Sequence, residues 1–171
     1  NDAMHIVKNL FEDSALNVAP KLIGCWLCRC IDRQVLAYAI TEVEVYLGPE
    51  DLASHARFGK TRRNAPMFGP SGIWYVYLCY GMHAMLNIVT DKQDCPSAIL
   101  IRSVEGIQGP GRLTRQLKIN TTFNGLPCDL SSNLWIDDKN KKYFSIVTTP
   151  RIGIDYSGPV WSQKKYRFLA Q

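Results

Sequence analysis

A chain of 171 residues, 46% of them hydrophobic, is long enough to bury a core of its own without cross-links or a partner subunit. Its net charge of +5, from 20 Lys+Arg against 15 Asp+Glu, is too mild to decide between a polyanion-binding face and an ordinary solvated surface. No apolar run in the sequence approaches the roughly 20 residues that span a bilayer, and no signal peptide is expected ahead of the first residues, so the expectation is a reduced, intracellular protein.

In chain order, residues 8 to 24 (KNLFEDSALNVAPKLIG) carry helical spacing, with Pro20 suited to a helix start. The run CWLCRCIDRQVLAYAITEVEVYL predicts two strands joined as a hairpin near Asp32-Arg33-Gln34. Residues 48 to 73 read as a turn-rich connection that concentrates positive charge at Arg57, Lys60, Arg62 and Arg63. IWYVYLCYGMHAMLNIVT predicts a second strand pair turning near Tyr80-Gly81-Met82, and SAILIRSV a short apolar strand ending at Arg102. GPGRLTRQLKIN reads as a helix opened by Gly-Pro-Gly, and the remainder alternates short strands (LWIDD, YFSIVTTP, RIGI, YRFLA) with turns. With no repeat, low-complexity stretch or linker, the expected fold is α+β: one domain over 1–171, mainly antiparallel strands with a few helices.

Six cysteines stand at 25, 28, 30, 79, 95 and 128. The cluster Cys25, Cys28, Cys30 resembles the start of a metal site, but no second cysteine or histidine cluster completes it, so buried or half-buried thiols are expected.

The chemistry concentrates in the strands. In ITEVEVYLGPEDLASH, alternation sends Glu42, Glu44 and Tyr46 to one face and Thr41, Val43, Val45 and Leu47 to the other. Same-face neighbours lie about 6.5–7 Å apart, which overlaps the approximate 6.5–9.5 Å spacing of an inverting glycosidase pair. Tyr46 and nearby His55 would add an aromatic wall suited to a cation-like transition state or a flat ligand. Trp74, Tyr75, Tyr77 and Tyr80 supply aromatic rings to both faces of their strand. Tyr80 falls at the hairpin tip, where it would suit a wedge pushed between bases. Asn87 and Arg102 are polar positions in apolar runs and need partners there.

Taken together, these segments resemble the alkyladenine (3-methyladenine) DNA glycosylase family. The resemblance runs through TEVEVYLGPEDLASHARFGKTRRNAPMF, GIWYVYLCYGMHAMLNIV, ILIR, GPGRLTRQLKIN and the terminal RIGI with YRF, in family order over residues 8 to 168. It implies a curved, mainly antiparallel sheet with flanking helices and a protruding DNA-inserting hairpin. The implied activity is monofunctional: removal of alkylated or deaminated purines from duplex DNA by hydrolysis of the N-glycosidic bond, without metal or cofactor. Its partner would be double-stranded DNA holding a damaged purine. The protein would be a monomer with no membrane association, in the bacterial cytoplasm (nucleoid) or, in a eukaryote, the nucleus.

The same resemblance assigns roles. Glu44 matches the catalytic glutamate that activates water, which leaves Glu42 as a supporting carboxylate. Tyr46, His55 and Tyr77 match the walls of the base pocket, and His55 would also offer its backbone N–H to the base edge. Asn87 matches the residue that disfavours the guanine 2-amino group. Tyr80 matches the residue that fills the vacated stack, and Arg102 one that holds the flipped nucleotide. Arg63, Lys60 and their basic neighbours Arg57 and Arg62, with Lys164, Lys165 and Arg167, are expected phosphate contacts.

Two departures from the family pattern stand out. Only SVEGIQ separates Arg102 from Gly109, where relatives carry a longer insert, and His83 occupies a position that varies among them. Three rival readings are a catalytically silent damage-binding protein, an O-glycoside hydrolase using Glu42 and Glu44, and an RNA-binding module using exposed tyrosines. Glu44 argues against the first and third, and the wedge and basic loops against the second.

Overall fold

Asp32 and Arg33 take φ of 50° and 66°, the left-handed backbone a two-residue turn needs to match the twist of its flanking strands. They join β1 (Trp26–Ile31) to β2 (Gln34–Leu47), with Ile31 opposite Gln34. The computed structural model describes residues 5–171; the leader-peptide expectation bears on the first residues, and 1–4 lie outside those described. β2 is long enough to serve two parts of the sheet. Residues 34–39 pair with β1, and Ile40–Leu47 pair with β5 (Ser97–Val104), the register shifting on either side of Glu42.

The second hairpin, β3 (Trp74–Cys79) and β4 (His83–Thr90), lies beyond β5, and β6 (Leu134–Asp137) pairs with β1. The order is therefore β3-β4-β5-β2-β1-β6, antiparallel throughout. β8 (Arg167–Ala170) lies beside β2 at Glu42–Glu44 and carries β7 (Ile146–Thr149) on its outer side. With α1 (Ala15–Leu22), α2 (Pro110–Gln116) and the short α3 (Gly158–Trp161), the eight strands make the expected α+β architecture.

The predicted alternation of β2 holds. Val43 and Val45 are fully buried and stand opposite Ile101 and Ile99 in the main core, which Ala15, Val18, Ala19 and Leu22 of α1 also enter. Those α1 positions are spaced i, i+3, i+4, i+7, one helical face. On β3, Trp74 and Val76 face this core, while Tyr75 joins Met67, Val89 and Ala98 in a second cluster against which Tyr77 packs. One strand pair thus separates the packing face from the face that carries Glu42, Glu44 and Tyr46.

Four expectations require correction. Pro20 lies inside α1 rather than at its start; a helix of about two turns tolerates it because the lost N–H removes only one bond near its end. β5 runs past Arg102 to Val104, which places Ser103 in the strand opposite Glu42. RIGI, residues 151–154, is a loop and not a strand. The stretch after it forms α3, where only strands and turns were expected.

Gly24, between α1 and β1, shows how closely the chain passes itself. Its φ is 92°, and a Cβ there would fall 1.7 Å from the Lys142 carbonyl oxygen, backbone that cannot rotate away. Gly24 also hydrogen-bonds to Ile40 and Lys142 through its N–H and C=O. Gly24→Ala should destabilise the protein by about 2 kcal/mol or more, through strain and displaced backbone. Urea denaturation checks this: an unchanged midpoint would contradict the close approach.

Candidate active site

Glu44 has no solvent exposure, yet it is ringed by donors. The Tyr46 hydroxyl donates to Oε1 at 2.8 Å, and the Ile152 backbone N–H donates to Oε2 at 2.7 Å. Arg102 Nη1 stands 3.7 Å from Oε1. Burial pushes the Glu44 carboxyl above its usual value; Arg102, the Ile152 N–H and the Tyr46 hydroxyl pull the other way and only partly offset it. Each carboxylate oxygen has two lone-pair directions, so one hydrogen bond to each leaves capacity for a water molecule.

Glu42 has the opposite balance. Burial pushes it up, but the Ser103 hydroxyl and Arg167 hydrogen bonds, with the charges of Arg102 and Arg167, outweigh that and hold it below the ordinary value. Ser103 Oγ lies 2.6 Å from Oε1, while Arg167 Nε at 2.6 Å and Arg102 Nε at 3.3 Å share Oε2. Arg102 therefore contacts both glutamates, which ties them into one ion-pair network rather than leaving them as a free acid–base pair. Arg167, expected at phosphate, is committed to Glu42 and to Thr149 Oγ1 at 3.2 Å.

Next to this charge network opens a cleft of about 730 Å³, lined among others by Tyr46, His55, Tyr77, Tyr80, Arg102 and Tyr156. A narrower recess continues from it to Asn87, Tyr75, Met67 and Ala98. The recess is walled by rings: His55 and Tyr77 lie 4.3 Å apart between centroids, and Tyr75 and Tyr77 5.3 Å. His55 Nδ1 is 2.9 Å from the Tyr75 hydroxyl. Burial, then Arg63 and Arg57, pushes the His55 imidazole down to about 4, so it is neutral at pH 7. Asn87 donates both amide hydrogens to the Tyr75 and Met85 carbonyls (3.1 and 3.2 Å), which fixes the amide in the recess wall.

Tyr80 is 92% exposed and takes φ of 53°, with Gly81 after it at 67°. A left-handed tyrosine costs roughly 1–2 kcal/mol, and its exposed ring recovers nothing from the core. Leu78 and Met82 beside it are also exposed, giving the hairpin tip an apolar character. Arg63 braces this hairpin by donating to the Leu78 carbonyl at 2.8 Å, with its guanidinium 5.3 Å over the Tyr77 ring. Lys60, Arg62, Lys164 and Lys165 are exposed. His83 packs beside Gly111 of α2, where a Cβ would meet its ring at 3.0 Å. The short SVEGIQ segment closes through a Val104–Ile107 turn with Glu105-Gly106 at its tip.

The structure thus brings Tyr46, His55, Tyr77, Tyr80 and Arg102 to one cleft and Asn87 to its inner recess, with Glu44 held by the cleft-lining Tyr46, Arg102 and Ile152. Lys60 and Arg63 belong to the adjoining loop. Among the described residues all six cysteines are free thiols, with Cys25, Cys28 and Cys128 buried and Cys30 half-buried, and no cluster of potential metal ligands occurs. No described helix is long and apolar enough to cross a membrane.

The sequence reading missed Asp51 and Arg151, which form an ion pair with both side chains fully buried. Arg151 Nη1 donates to Asp51 Oδ2 at 2.6 Å and to the Val45 carbonyl at 2.9 Å, and Nη2 to Asp51 Oδ1 at 3.1 Å. Asp51 also accepts from the Leu47 and Ala53 backbone N–H groups. This pair anchors the 151–154 loop, so it sets the Ile152 N–H on Glu44, and the Arg151 guanidinium sits 4.9 Å over the Tyr46 ring. The available signals were an aspartate just after the Gly48-Pro49 turn and an arginine opening an otherwise apolar RIGI.

Known proteins resemble this chain over most of its length. A family model described as "Methylpurine-DNA glycosylase (MPG)" matches residues 9–108 and 105–171, two stretches that meet at the short turn after β5. A relative from Arabidopsis thaliana, named "DNA-3-methyladenine glycosylase", is 40% identical over 92% of this chain and 68% of its own length. Relatives from Anaeromyxobacter sp. (strain Fw109-5) and Legionella pneumophila (strain Paris), both named "Putative 3-methyladenine DNA glycosylase", are each 37% identical. They cover 98% and 95% of this chain and 90% and 92% of their own lengths.

The Asp51–Arg151 pair can be tested without any activity. Arg151→Met leaves a buried carboxylate unpaired, and breaking a buried pair from one side costs about 3–5 kcal/mol. Urea denaturation at pH 7 should show a loss of that order, with a smaller one for the Asp51→Asn, Arg151→Met double variant, which removes both charges. A near-zero cost for Arg151→Met would mean the pair does not anchor the loop.

Proposed function

Because the chain belongs to the methylpurine-DNA glycosylase family, and is on that ground a DNA glycosylase with a 3-methyladenine repair role, we propose that its cleft receives a damaged purine rotated out of duplex DNA. A base inside the stack cannot reach Glu44, so the nucleotide must leave it, at a cost of a few kcal/mol that is smaller at damaged pairs. Tyr80 offsets the lost stacking by entering the gap; its exposure and left-handed backbone support this role.

The purine lies among Tyr46, His55 and Tyr77. N3- or N7-alkylated purines are cationic, and stacking a cation on an aromatic face is worth about 0.5–2 kcal/mol. Arg151 is buried against Tyr46 and its charge is cancelled by Asp51, which leaves the cleft side of that ring able to accept a cation. Asn87, with its amide fixed by two carbonyls, disfavours a guanine 2-amino group at the inner end. Arg102 holds the flipped nucleotide from the cleft side, while Lys60 and Arg63 face the backbone phosphates.

Glu44 then acts as the base. Its ionised carboxylate orients and deprotonates a water for attack at C1′, and its charge stabilises the oxocarbenium-like sugar as the bond to the purine breaks. The Tyr46 hydroxyl stays protonated, because burial and then the Glu44 charge push its pKa well up, so it remains a donor to the carboxylate. The reading rests above all on one contact: the Tyr46 hydroxyl, on a ring that walls the cleft, donating to a glutamate otherwise sealed from solvent.

Release of 7-methylguanine from a duplex under single-turnover conditions tests this, since that cationic base needs no protonation to leave. Glu44→Gln should slow release at least about 10²-fold while still binding the damaged duplex. The base works ionised and its folded pKa is raised, so wild-type release at sub-saturating protein, which titrates the free enzyme, should fall with acid through a midpoint above the 4.5 of an ordinary glutamate. Equal release by the Gln variant would overturn the assignment, and an acid limb centred at or below 4.5 would show that burial does not dominate Glu44.

A further inference from the structure

We propose that Phe58 is a second DNA-contacting aromatic, one that packs against the nucleotide adjoining the flipped one on the damaged strand. Phe58 is 81% exposed and belongs to neither core cluster, so folding does not account for a large apolar ring at this position. The Phe58 ring is instead in contact with a cation. The Arg57 guanidinium lies 4.4 Å from its ring centroid and 5.3 Å from that of Tyr156, a cleft-lining residue, making a layered Phe58–Arg57–Tyr156 stack at the rim. Arg57 Nη1 donates to the Ser54 carbonyl at 3.0 Å, and the Tyr156 hydroxyl to the Ala53 carbonyl at 2.9 Å, so both partners of the stack are tied to the backbone that positions His55.

The loop that presents Phe58 is braced from within. Asn64, buried at 2% exposure, donates to the His55 and Gly59 carbonyls at 3.0 and 3.1 Å and accepts from the Thr61 N–H. Ser54 caps the His55–Phe58 turn by accepting from the Ala56 N–H. A fixed loop loses little entropy when it binds. From Leu52 to Arg63 it carries Arg57, Lys60, Arg62 and Arg63 and no acidic residue, a charge pattern suited to a phosphate backbone and unsuited to an acid-poor partner.

The position selects the strand. A flipped nucleotide stays bonded to its neighbours, and in the proposed complex the strand that feeds the pocket crosses the rim beside Tyr156, where this stack stands. A neighbour partly unstacked by flipping exposes a base or sugar face that an aromatic ring can cover, whatever its sequence. This inference rests on the reading of the cleft as the base pocket.

Binding to a duplex with a central tetrahydrofuran abasic analogue, which has no base to excise, isolates the contact. Phe58→Ala should weaken binding about tenfold, Phe58→Trp should restore it and Phe58→Leu should not. The slope of log affinity against log salt should match wild type, because no phosphate contact is lost. Wild-type affinity in Phe58→Ala, full rescue by Leu, or a loss that comes with a flatter salt slope would each overturn the proposal. If wild type binds the abasic duplex no more tightly than an undamaged one, the pocket reading fails and this proposal with it; a wild-type preference that Phe58→Ala keeps in full overturns the proposal alone.

Discussion

A fully buried carboxylate is the constraint around which this molecule is arranged. Removing one ion from water costs several kcal/mol even after relaxation, unless charge and hydrogen bonds replace the solvent. Glu44 receives that replacement from three separate places: Tyr46 two residues on, Ile152 from the loop after β7, and Arg102 from β5. Each donor is itself secured. Arg102 is shared with Glu42, Glu42 with Arg167 and Ser103, and the Ile152 loop hangs on Arg151, which pairs with Asp51. Three carboxylates and three guanidiniums thus balance formally, and β2 threads through the middle of them. The compensation for Glu44 stays incomplete, which suits the role of base proposed for it.

The sheet makes this network affordable by dividing labour between faces. Val43 and Val45 pack into the main core while Glu42, Glu44 and Tyr46 face the charges, so a strand buried on both sides carries two unlike environments. The register shifts at Glu42 fall where β2 passes from β1 to β8 on one edge and opens onto β5 on the other. Rigid strands set the floor and recess, whereas the exposed aromatics Tyr80 and Phe58 stand on a hairpin tip and a braced loop at its margin. That division suits the proposed function, in which a duplex is gripped outside and one base is placed inside.

Much of this was legible in the sequence because it depends on local pattern. Two-residue periodicity identified the faces of β2, and the hairpins were visible from strand patterns on either side of Asp32-Arg33 and of Tyr80-Gly81. The resemblance gathered Glu44, Tyr46, His55, Tyr77, Asn87 and Arg102 into one site, and their geometry is compatible with that grouping. Long-range pairing was not legible. Asp51 and Arg151 are 100 residues apart, and nothing local marks them as partners. RIGI looked like a strand because of its two isoleucines, but the demands of the arginine and of the Ile152 N–H prevailed over propensity. Ser103 escaped notice because the strand appeared to end at Arg102, one residue too early to place a hydroxyl opposite Glu42.

The central claim, that Glu44 is kept ionised at a cost to the fold, can be measured without DNA. A carboxyl whose folded pKa lies above its unfolded value contributes stability below the unfolded value and loses it as pH rises through the folded one. Urea unfolding of wild type and Glu44→Gln should therefore be compared at pH 4.5 and pH 8. The account predicts that the Gln variant gains stability relative to wild type between those two pH values. A Gln variant that loses ground to wild type over the same interval would show that the carboxylate is favourably held, and would contradict it.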